Sequence, residues 1–400
     1  MPIPALKVAH VALSLDVGGL ERNIVNQVRQ APALDQQISV ICLERPGTLA
    51  PTAESLGATI RCTDKRPGLR LDILPRLRKI IRQLKPDIIH THQIGPLFYT
   101  RLAATGLRIP IVHTEHGREP YESGAKFRAL SRFAARSARI FYCLTEDMKK
   151  HVLAHRITSS DKIRVIHNGI DFTPYTTPHD TAAVRAQLNI PHDAVVIGTI
   201  GRLNEIKRQD VLLKAFATVR ATIPGAHLLL VGDGPLKSDL ESLAQQLNIK
   251  HHIHFAGYQS NTAPYMQAMN LFTLTSRSEG MPQSILEACV AGIPVIASNV
   301  GGIPEVIRHN QTGLLFPAGD DQALARNIIN LLENPVEASR LATAAKAYVE
   351  STFDIRRMAR EYHHHFLDLL GRPPVVSSTS PLRNAAHLAD NAPVSLTSGA

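Results

Sequence analysis

Residues 276–288 read Ser276-Arg277-Ser278-Glu279-Gly280-Met281-Pro282-Gln283-Ser284-Ile285-Leu286-Glu287-Ala288 and form the strongest local signal in this sequence. Pro282 is typical of the first turn of a helix, so Glu279 falls in the loop before that helix and Glu287 about a turn and a half inside it. The helix start offers backbone amides to an anion or to sugar hydroxyls, here those of Met281, Gln283 and Ser284. Glu287 could accept hydrogen bonds from the two hydroxyls of a ribose, although a helix start also favours acids for its dipole alone.

An apolar run that reads as a buried strand precedes this loop, and the alternation of strand and helix extends through the second half of the chain. The predicted strands there are Val195–Ile200, Leu228–Val231, Ile253–Phe255, Leu271–Leu274 and Val295–Ala297. Short apolar runs separated by amphipathic stretches are typical of parallel strands joined by crossover helices.

The first half of the chain shows the same alternation. Its predicted strands are Val8–Leu15, Ile38–Cys42, Ile88–Thr91, Ile111–Thr114, Ile140–Leu144 and Val165–His167, with helices that include Glu21–Gln30 and Ile73–Leu84. A segment rich in Pro and Thr, Asp171–His192, joins the two halves. We therefore expect an α/β fold of two Rossmann-like domains, residues 1–171 and residues 172–350, followed by a helix at Ile355–Leu370 and a disordered tail at 371–400.

The composition agrees with two ordinary domains. The chain has 400 residues with 44% hydrophobic content, enough for two cores. No apolar run approaches the roughly 18 residues of a membrane-spanning helix, and the run Val8–Leu15 has no basic leader before it. The four cysteines are scattered without the spacing of a disulfide framework or a zinc site. A soluble cytoplasmic protein is expected.

Each half of the chain has one candidate anion site, directly after its first predicted strand. Asp16-Val17-Gly18-Gly19-Leu20-Glu21 opens a helix, where two glycines allow the backbone to approach a phosphate. Gly201-Arg202-Leu203 ends the strand Val195–Ile200, and Lys207 follows at the entry to the next helix, so two cations could neutralise a diphosphate. A tight turn and a surface salt bridge are the structural alternatives. The first motif lacks the third glycine of the dinucleotide fingerprint, which argues against an NAD-dependent oxidoreductase.

Four motifs, in this order, resemble the retaining glycosyltransferases of family 4: Gly18-Gly19-Leu20-Glu21, His116-Gly117, Gly201-Arg202-Leu203 with Lys207, and Glu279-x7-Glu287. Weaker support comes from Asp87-Ile88-Ile89-His90-Thr91-His92, Asn168-Gly169-Ile170-Asp171, Gly232-Asp233-Gly234-Pro235 and Gly301-Gly302-Ile303-Pro304-Glu305. Together these motifs span residues 16–305. The resemblance implies the GT-B fold, in which two Rossmann-like domains face each other across a cleft and the helix Ile355–Leu370 crosses back to the first domain.

The resemblance also implies roles for individual residues. Arg202 and Lys207 would bind the diphosphate of a nucleotide sugar, Glu279 would contact the transferred sugar, and Glu287 would hold the ribose. The catalytic set would be His116, which would hydrogen-bond the donor sugar, with Glu279, Arg202 and Lys207. The donor-binding set would be Gly18, Gly19, Gly201, Arg202, Lys207, Glu279, Gly280, Met281, Pro282, Gln283, Ser284 and Glu287.

Sugar transfer builds negative charge on the departing diphosphate, and fixed cations and amides can stabilise that charge. The chain has no Asp-x-Asp motif at a strand end, so no metal and no cofactor are expected beside a UDP- or GDP-linked donor. The resemblance implies front-face attack with retention of configuration. A two-lobed binding protein without turnover, or a GT-B isomerase or phosphorylase, stays open as an alternative.

The excess of positive charge lies in the first half: residues 1–175 carry 26 Lys and Arg against 15 Asp and Glu, and the remaining residues carry 18 against 19. Between Lys126 and Arg139, basic residues recur at helical spacing with apolar residues between them: Arg128, Arg132, Arg136 and Arg139 with Phe127, Leu130 and Phe133. Such a helix suits an anionic membrane surface, and a solvated helix face is an equal alternative. We expect a saccharide or lipid-linked acceptor in polysaccharide biosynthesis, peripheral contact with the inner membrane face, and no nucleic acid partner.

Overall fold

The computed structural model describes residues 4–16, 18–117 and 124–373, and within them two all-parallel sheets. The strands of the first sheet are β1 (Leu6–Ala12), β2 (Gln36–Cys42), β3 (Thr59–Cys62), β4 (Ile88–His92), β5 (Ile111–Glu115), β6 (Ala138–Cys143) and β7 (Ile163–Val165). Those of the second are β8 (Val195–Ile200), β9 (Ala226–Val231), β10 (Ile253–Gly257), β11 (Leu271–Leu274), β12 (Val295–Ser298) and β13 (Leu314–Phe316).

Helices connect the strands and cover both faces of each sheet, as parallel connections require. In the first half they are α1 (Gly19–Gln30), α2 (Ala50–Ser55), α3 (Leu74–Leu84), α4 (Ile94–Ala103), α5 (Ala125–Ala135) and α6 (Glu146–Ala154). In the second half they are α7 (Thr173–Thr176), α8 (Thr181–Gln187), α9 (Gln209–Thr222), α10 (Lys237–Gln246), α11 (Ala263–Gln267), α12 (Gln283–Val290), α13 (Ile303–Val306), α14 (Asp321–Glu333), α15 (Pro335–Thr352) and α16 (Ile355–Leu370).

The strand order reverses once in each sheet. The orders are β3-β2-β1-β4-β5-β6-β7 and β10-β9-β8-β11-β12-β13, so the chain leaves β1 and β4, and likewise β8 and β11, in opposite directions. Such a reversal opens a crevice at the carboxyl ends of the two strands. The predicted α/β fold class with two Rossmann-like domains is confirmed.

Two strands escaped the sequence prediction, β3 and β13. The strand β3 lies at the sheet edge and alternates exposed and half-buried residues, and β13 has three residues, so neither gives a long apolar run. The helix α5 ends at Ala135, which contradicts the predicted helical run to Arg139: Arg136 follows the helix, and Arg139 belongs to β6. The predicted tail lies outside the described residues from position 374 onward.

The last helix, α16, packs on the first sheet although it follows the second domain in sequence. Met358, Tyr362 and Phe366 are buried against Val8, Ile88 and neighbouring side chains of that sheet. The backbone enters α16 through a parallel bridge between Ile170 and Asp354, and the Asp354 side chain caps the helix at the Arg356 amide. The two halves of the chain are therefore tied together by a buried helix as well as by the connecting segment.

A second tie joins α6 of the first domain to α13 of the second. The Glu305 carboxylate accepts hydrogen bonds from the backbone amides of Glu146 and Asp147, at 3.0 and 2.9 Å. These amides lie in the first turn of α6, where the helix dipole also favours a negative charge. None of the described helices combines the length and the apolar character needed to cross a membrane.

Replacing Phe366 by alanine should destabilise the protein by about 3 kcal/mol, because the change leaves a cavity between α16 and the first sheet. Urea denaturation measures the free energy of unfolding. His364→Ala is the matched control, since His364 lies on the exposed face of the same helix and its loss should cost less than about 0.5 kcal/mol. Equal effects of the two changes would contradict the packing described for α16.

Candidate active site

A cavity of about 580 Å³ lies between the carboxyl edges of the two sheets. The loops that follow β1, β8, β9, β10 and β11 all reach it, which is the position expected for ligands in open parallel sheets. Its walls are formed by Gly18, Gly19, Arg22, Ile200, Gly201, Arg202, Lys207, Val231, Gly232, Asp233, Tyr258, Gln259, Thr262, Glu279, Met281, Pro282, Gln283, Ser284 and Glu287.

The structure gathers eleven of the predicted site residues around this cavity: Gly18, Gly19, Gly201, Arg202, Lys207, Glu279, Met281, Pro282, Gln283, Ser284 and Glu287. The other two, Gly280 and His116, are not part of its lining. They lie next to each other instead, since a Cβ atom on Gly280 would stand 2.9 Å from the carbonyl oxygen of His116. Gly280 and His116 belong to different domains, so a side chain at position 280 would press against the opposite domain.

An ion pair occupies the wall contributed by the second domain. Lys207 Nζ lies 2.5 Å from Glu279 Oε1, and the same oxygen accepts a hydrogen bond of 2.5 Å from Ser276 Oγ. The loops around the pair are fixed by two bonds to backbone: Thr275 Oγ1 donates to the carbonyl of Lys207, and the Arg277 amide donates to the carbonyl of Ile206. The pair therefore has a defined position at the cavity.

The exposed residue Arg202 provides a second cation on this wall. No ion-pair partner of Arg202 is found in the described parts of the chain, although its carbonyl accepts a hydrogen bond from the Gln209 side chain. A guanidinium group of this kind can donate two parallel hydrogen bonds to a phosphate.

The helix behind the ion pair begins one residue later than predicted. Pro282 precedes α12 at the N-cap position with an extended ψ of 101°, and the first helical residue is Gln283, so the prediction of a first-turn proline is wrong. Met281 consequently belongs to the loop, and the helix start offers the amides of Gln283 and Ser284. Gln283 also reaches across the cavity, where its Nε2 donates to the carbonyl of Gly19 at 3.2 Å.

Glu287 is 6% exposed and lies inside α12. Burial raises the pKa of its carboxyl group, and a hydrogen bond from Tyr175 and the positive charge of Arg22 act in the opposite direction. The Tyr175 hydroxyl also lies 3.1 Å from Thr262 Oγ1. A buried carboxylate beside a cavity is well placed to accept hydrogen bonds from ligand hydroxyls.

The partly buried residue His116 follows β5 on the side of the first domain. Its backbone amide donates to the Glu115 carboxylate at 2.9 Å, and its Nε2 lies 3.0 Å from His92 Nδ1. Burial lowers the pKa of His116 to about 4, although the charge of Glu115 opposes the shift. The imidazole is therefore neutral at physiological pH.

The predicted donor-binding set leaves out several residues of the lining, although Gly232 and Asp233 belong to a motif that supported the family resemblance. Arg22 stands one turn into α1, and Gly232 and Asp233 follow β9. Tyr258, Gln259 and Thr262 come from the segment after β10. The position of these segments directly after parallel strands was the available signal. Arg22 reaches the cavity because the two domains face each other, and a local sequence pattern cannot predict that arrangement.

Opposite charges are distributed over this cavity in a way that suits a nucleoside diphosphate. Lys207, Arg202 and the start of α12 offer cations and amides to phosphate oxygens, and Glu287 offers a buried acceptor to hydroxyl groups. Tyr258 is 52% exposed and lines the cavity, and an aromatic ring can stack on a planar group.

Comparisons with known proteins agree with this geometry. Residues 17–173 match the family model described as Glycosyltransferase Family 4, and residues 180–348 match the model Glycosyl transferases group 1. The chain is 30% identical to the D-inositol 3-phosphate glycosyltransferase of Mycobacterium avium, over 69% of this chain and 70% of that protein. It is 29% identical to the lipopolysaccharide core biosynthesis glycosyltransferase LpsD of Rhizobium meliloti, over 92% of this chain and 98% of that protein.

Among solved structures, Alr3699/HepE of Anabaena in complex with UDP and glucose superposes with a TM-score of 0.81. The identity is 22%, and the match covers 91% of this chain and all of that one, so the likeness establishes the GT-B fold. The two family models lie end to end along the chain, one on each Rossmann-like domain, and both belong to glycosyltransferases. The chain is a member of glycosyltransferase family 4.

Proposed function

We propose that this glycosyltransferase moves a hexose-type sugar from a UDP- or GDP-linked donor to a saccharide or lipid-linked acceptor, with retention of configuration and without a metal ion or other cofactor. The observation that carries the proposal is the placement of Arg202, the Lys207–Glu279 pair and Glu287 around one cavity. One relative, LpsD of Rhizobium meliloti, is named for lipopolysaccharide core biosynthesis, and we propose a role in polysaccharide assembly for this protein on that basis.

The cavity supports an orientation for the donor. The ribose would lie at Glu287, since a buried carboxylate can accept from both of its hydroxyls. The diphosphate would lie between Arg202 and Lys207 on one side and Gly18 and Gly19 on the other. The sugar would then reach the loop of Glu279, with His116 on the opposite domain beside that loop.

Of the two routes that retain configuration, the state of Glu279 favours front-face attack over a two-step reaction. A two-step reaction would use this carboxylate as the nucleophile at the anomeric carbon. Its Oε1 instead receives both the Lys207 ammonium and the Ser276 hydroxyl, which stabilise the charge and lower the reactivity of the oxygen. We therefore propose that the acceptor hydroxyl attacks on the face of the leaving group and that the diphosphate takes its proton.

Metal independence is supported by the groups at the proposed diphosphate position. Two cations and a helix start can stabilise the charge of the leaving group from fixed positions. Of the acidic residues of the cavity, Asp233 comes from a different segment than Glu279 and Glu287, and Glu279 is engaged by Lys207.

Glu287→Gln should weaken binding of the cognate nucleoside diphosphate about tenfold or more, because a charged acceptor of two ribose hydroxyls becomes neutral. The same change should raise the melting temperature of the free protein at neutral pH, since it removes a buried carboxylate. Glu287 has a raised pKa in the fold, so protonation at acidic pH favours the folded wild type, and the difference between the two proteins should shrink there.

Thermal shift with a panel of nucleotides measures both effects, since a ligand that binds the folded state raises the melting temperature. Glu333→Gln, an exposed acid on α14, is the control and should change neither quantity. If UDP and GDP stabilise the Glu287→Gln variant as much as the wild type, the ribose assignment is wrong.

Turnover tests the proposed function directly. Incubation with UDP- and GDP-sugars and a saccharide acceptor should release the nucleoside diphosphate, in EDTA as well as without it, and NMR of the product should show the anomeric configuration of the donor. Release that requires inorganic phosphate would identify a phosphorylase, and binding without release would identify a binding protein. An inverted product, or activity abolished by EDTA, would contradict the mechanism.

We further propose that the protein is cytoplasmic and contacts the inner membrane face through its first domain. Leu69 and Leu71 are 67% and 51% exposed in the loop after β3, and Phe133 of α5 is 36% exposed. The helix α4 lies between Leu69–Leu71 and Phe133. Its Tyr99 hydroxyl accepts a hydrogen bond from the Arg70 amide at 2.9 Å, and the centre of its Phe98 ring lies 6.2 Å from the centre of the Phe133 ring.

Cations surround these apolar side chains. The guanidinium of Arg101 lies 4.2 Å from the centre of the Phe133 ring. A cavity of about 510 Å³ beside α5 is lined by four cations, Arg132, Arg136, Arg156 and Lys162. Arg132 also donates to the carbonyls of His155 and Arg156, which is a structural role. Exposed apolar groups among cations suit an anionic lipid surface. A lipid-linked acceptor would be anchored in the same membrane.

In flotation assays, the protein should bind vesicles that contain phosphatidylglycerol, lose this binding in high salt, and bind pure phosphatidylcholine weakly. The double change Leu69→Ser and Leu71→Ser should reduce binding. Val336→Ser is the matched control, because Val336 is an 84% exposed apolar residue on the second domain. Binding that does not depend on anionic lipid would contradict the proposed surface.

A further inference from the structure

Three histidines of the first domain form a continuous line of hydrogen bonds beneath the cleft. His10 Nδ1 lies 2.9 Å from His92 Nε2, and His92 Nδ1 lies 3.0 Å from His116 Nε2. His10 belongs to β1, His92 to the end of β4, and His116 follows β5, so neighbouring segments of the sheet bring the rings together. The line runs from the buried core to the loop that faces Glu279 and Gly280.

Burial favours the neutral form of all three rings. Burial lowers the pKa of His10 to about 3, that of His116 to about 4, and that of His92 well below its ordinary value. A neutral imidazole carries one N–H and one bare nitrogen. His92 uses both nitrogens in the chain, so it must donate with one and accept with the other. The choice of tautomer at one end therefore sets the tautomer at the other.

We propose that His10 and His92 are positioning residues that fix the tautomer and the ring orientation of His116. The chain occupies Nε2 of His116, which leaves Nδ1 with a single defined role, donor or acceptor, toward the transferred sugar. This inference rests on the proposed function, because that function gives His116 its contact with the donor sugar. His10, at the far end of the chain, would thus influence turnover without touching substrate.

The alternative is that these histidines only fill the core, and the structure offers a comparison. His90 packs against the same rings, with its ring centre 5.0 Å from that of His10 and 4.4 Å from that of His92. It is not a member of the chain: its Nε2 bonds to Thr114 Oγ1 at 2.7 Å, and its Nδ1 has no hydrogen-bond partner among the described residues. His90 thus shares the packing of the three histidines but not their hydrogen bonds.

Reversing the direction of one hydrogen bond among these three histidines, without reversing the other, is costly. A change of tautomer at His116 alone would place two N–H groups or two bare nitrogens against each other at about 3 Å in a buried site, and an unmet buried polar group is expensive. The three rings should therefore change together or not at all. This coupling distinguishes the chain from a set of independent buried histidines.

The test compares His10→Asn with His10→Leu in the full-length protein. The asparagine amide stands near the position of the histidine Nδ1 and can donate or accept, whereas leucine can do neither. We expect His10→Leu to lower kcat about tenfold or more with a small change in the KM of the donor, and His10→Asn to restore most of the loss. His90→Leu is the packing control and should lower the melting temperature while leaving kcat close to that of the wild type.

A second measurement needs no substrate. In protein labelled with ¹⁵N-histidine, the ring nitrogens of His116 should report one tautomer in the wild type, and the tautomer populations should change more in His10→Leu than in His10→Asn, whose amide can still bond to His92. The inference is overturned if His116 is mixed in the wild type, if His10→Leu leaves the tautomer unchanged, or if His10→Asn and His90→Leu lose as much kcat as His10→Leu. If the wild type turns over no nucleotide sugar, the proposed function fails. The tautomer measurement then tests by itself whether His10 and His92 fix the tautomer of His116.

Discussion

The reversal of strand order in two parallel sheets is the constraint on which this structure depends. Parallel strands deliver all their carboxyl ends to one edge, and a crevice opens where successive connections leave in opposite directions. In the first sheet that point follows β1, where Gly18 and Gly19 stand, and in the second it follows β8, where Gly201 and Arg202 stand. The cavity exists because these two edges face each other, close enough for the Gln283 side chain to donate to the carbonyl of Gly19.

A bound diphosphate would change the ion pairing of the cavity. Lys207 is paired with Glu279, and a diphosphate would compete with that carboxylate for the ammonium group. The cost is limited because Glu279 keeps the hydrogen bond from Ser276, and because an anion replaces an anion. Release of Lys207 would also free one face of Glu279 for the hydroxyls of the sugar. Donor binding and the orientation of Glu279 are thus linked through one ion pair.

The sequence was most informative where function depends on short local motifs and least informative where it depends on strand order. The loop of Glu279 and the helix of Glu287 could be predicted from apolar periodicity and helix-start chemistry, with an error of one residue at Pro282. The chain of His10, His92 and His116 could not, because its members are 82 and 24 residues apart and meet only through the pairing of β1, β4 and β5. Edge strands such as β3 fail for a different reason, since half-exposed residues carry little apolar pattern.

The segment 301–305 links the relative position of the two domains to the loop of Glu279. The Gly302 amide donates to the carbonyl of Glu279 at 3.2 Å, and a side chain at Gly301 or Gly302 would overlap the backbone of Glu279 or Gly280. At the other end of the segment, Glu305 caps α6 of the first domain, an interaction worth about 1 kcal/mol. A contact of that size can break and re-form during turnover. Gly301 and Gly302 lie within five residues of Glu305. A movement between the domains that strains the Glu305 cap would therefore also act on the backbone that holds Glu279.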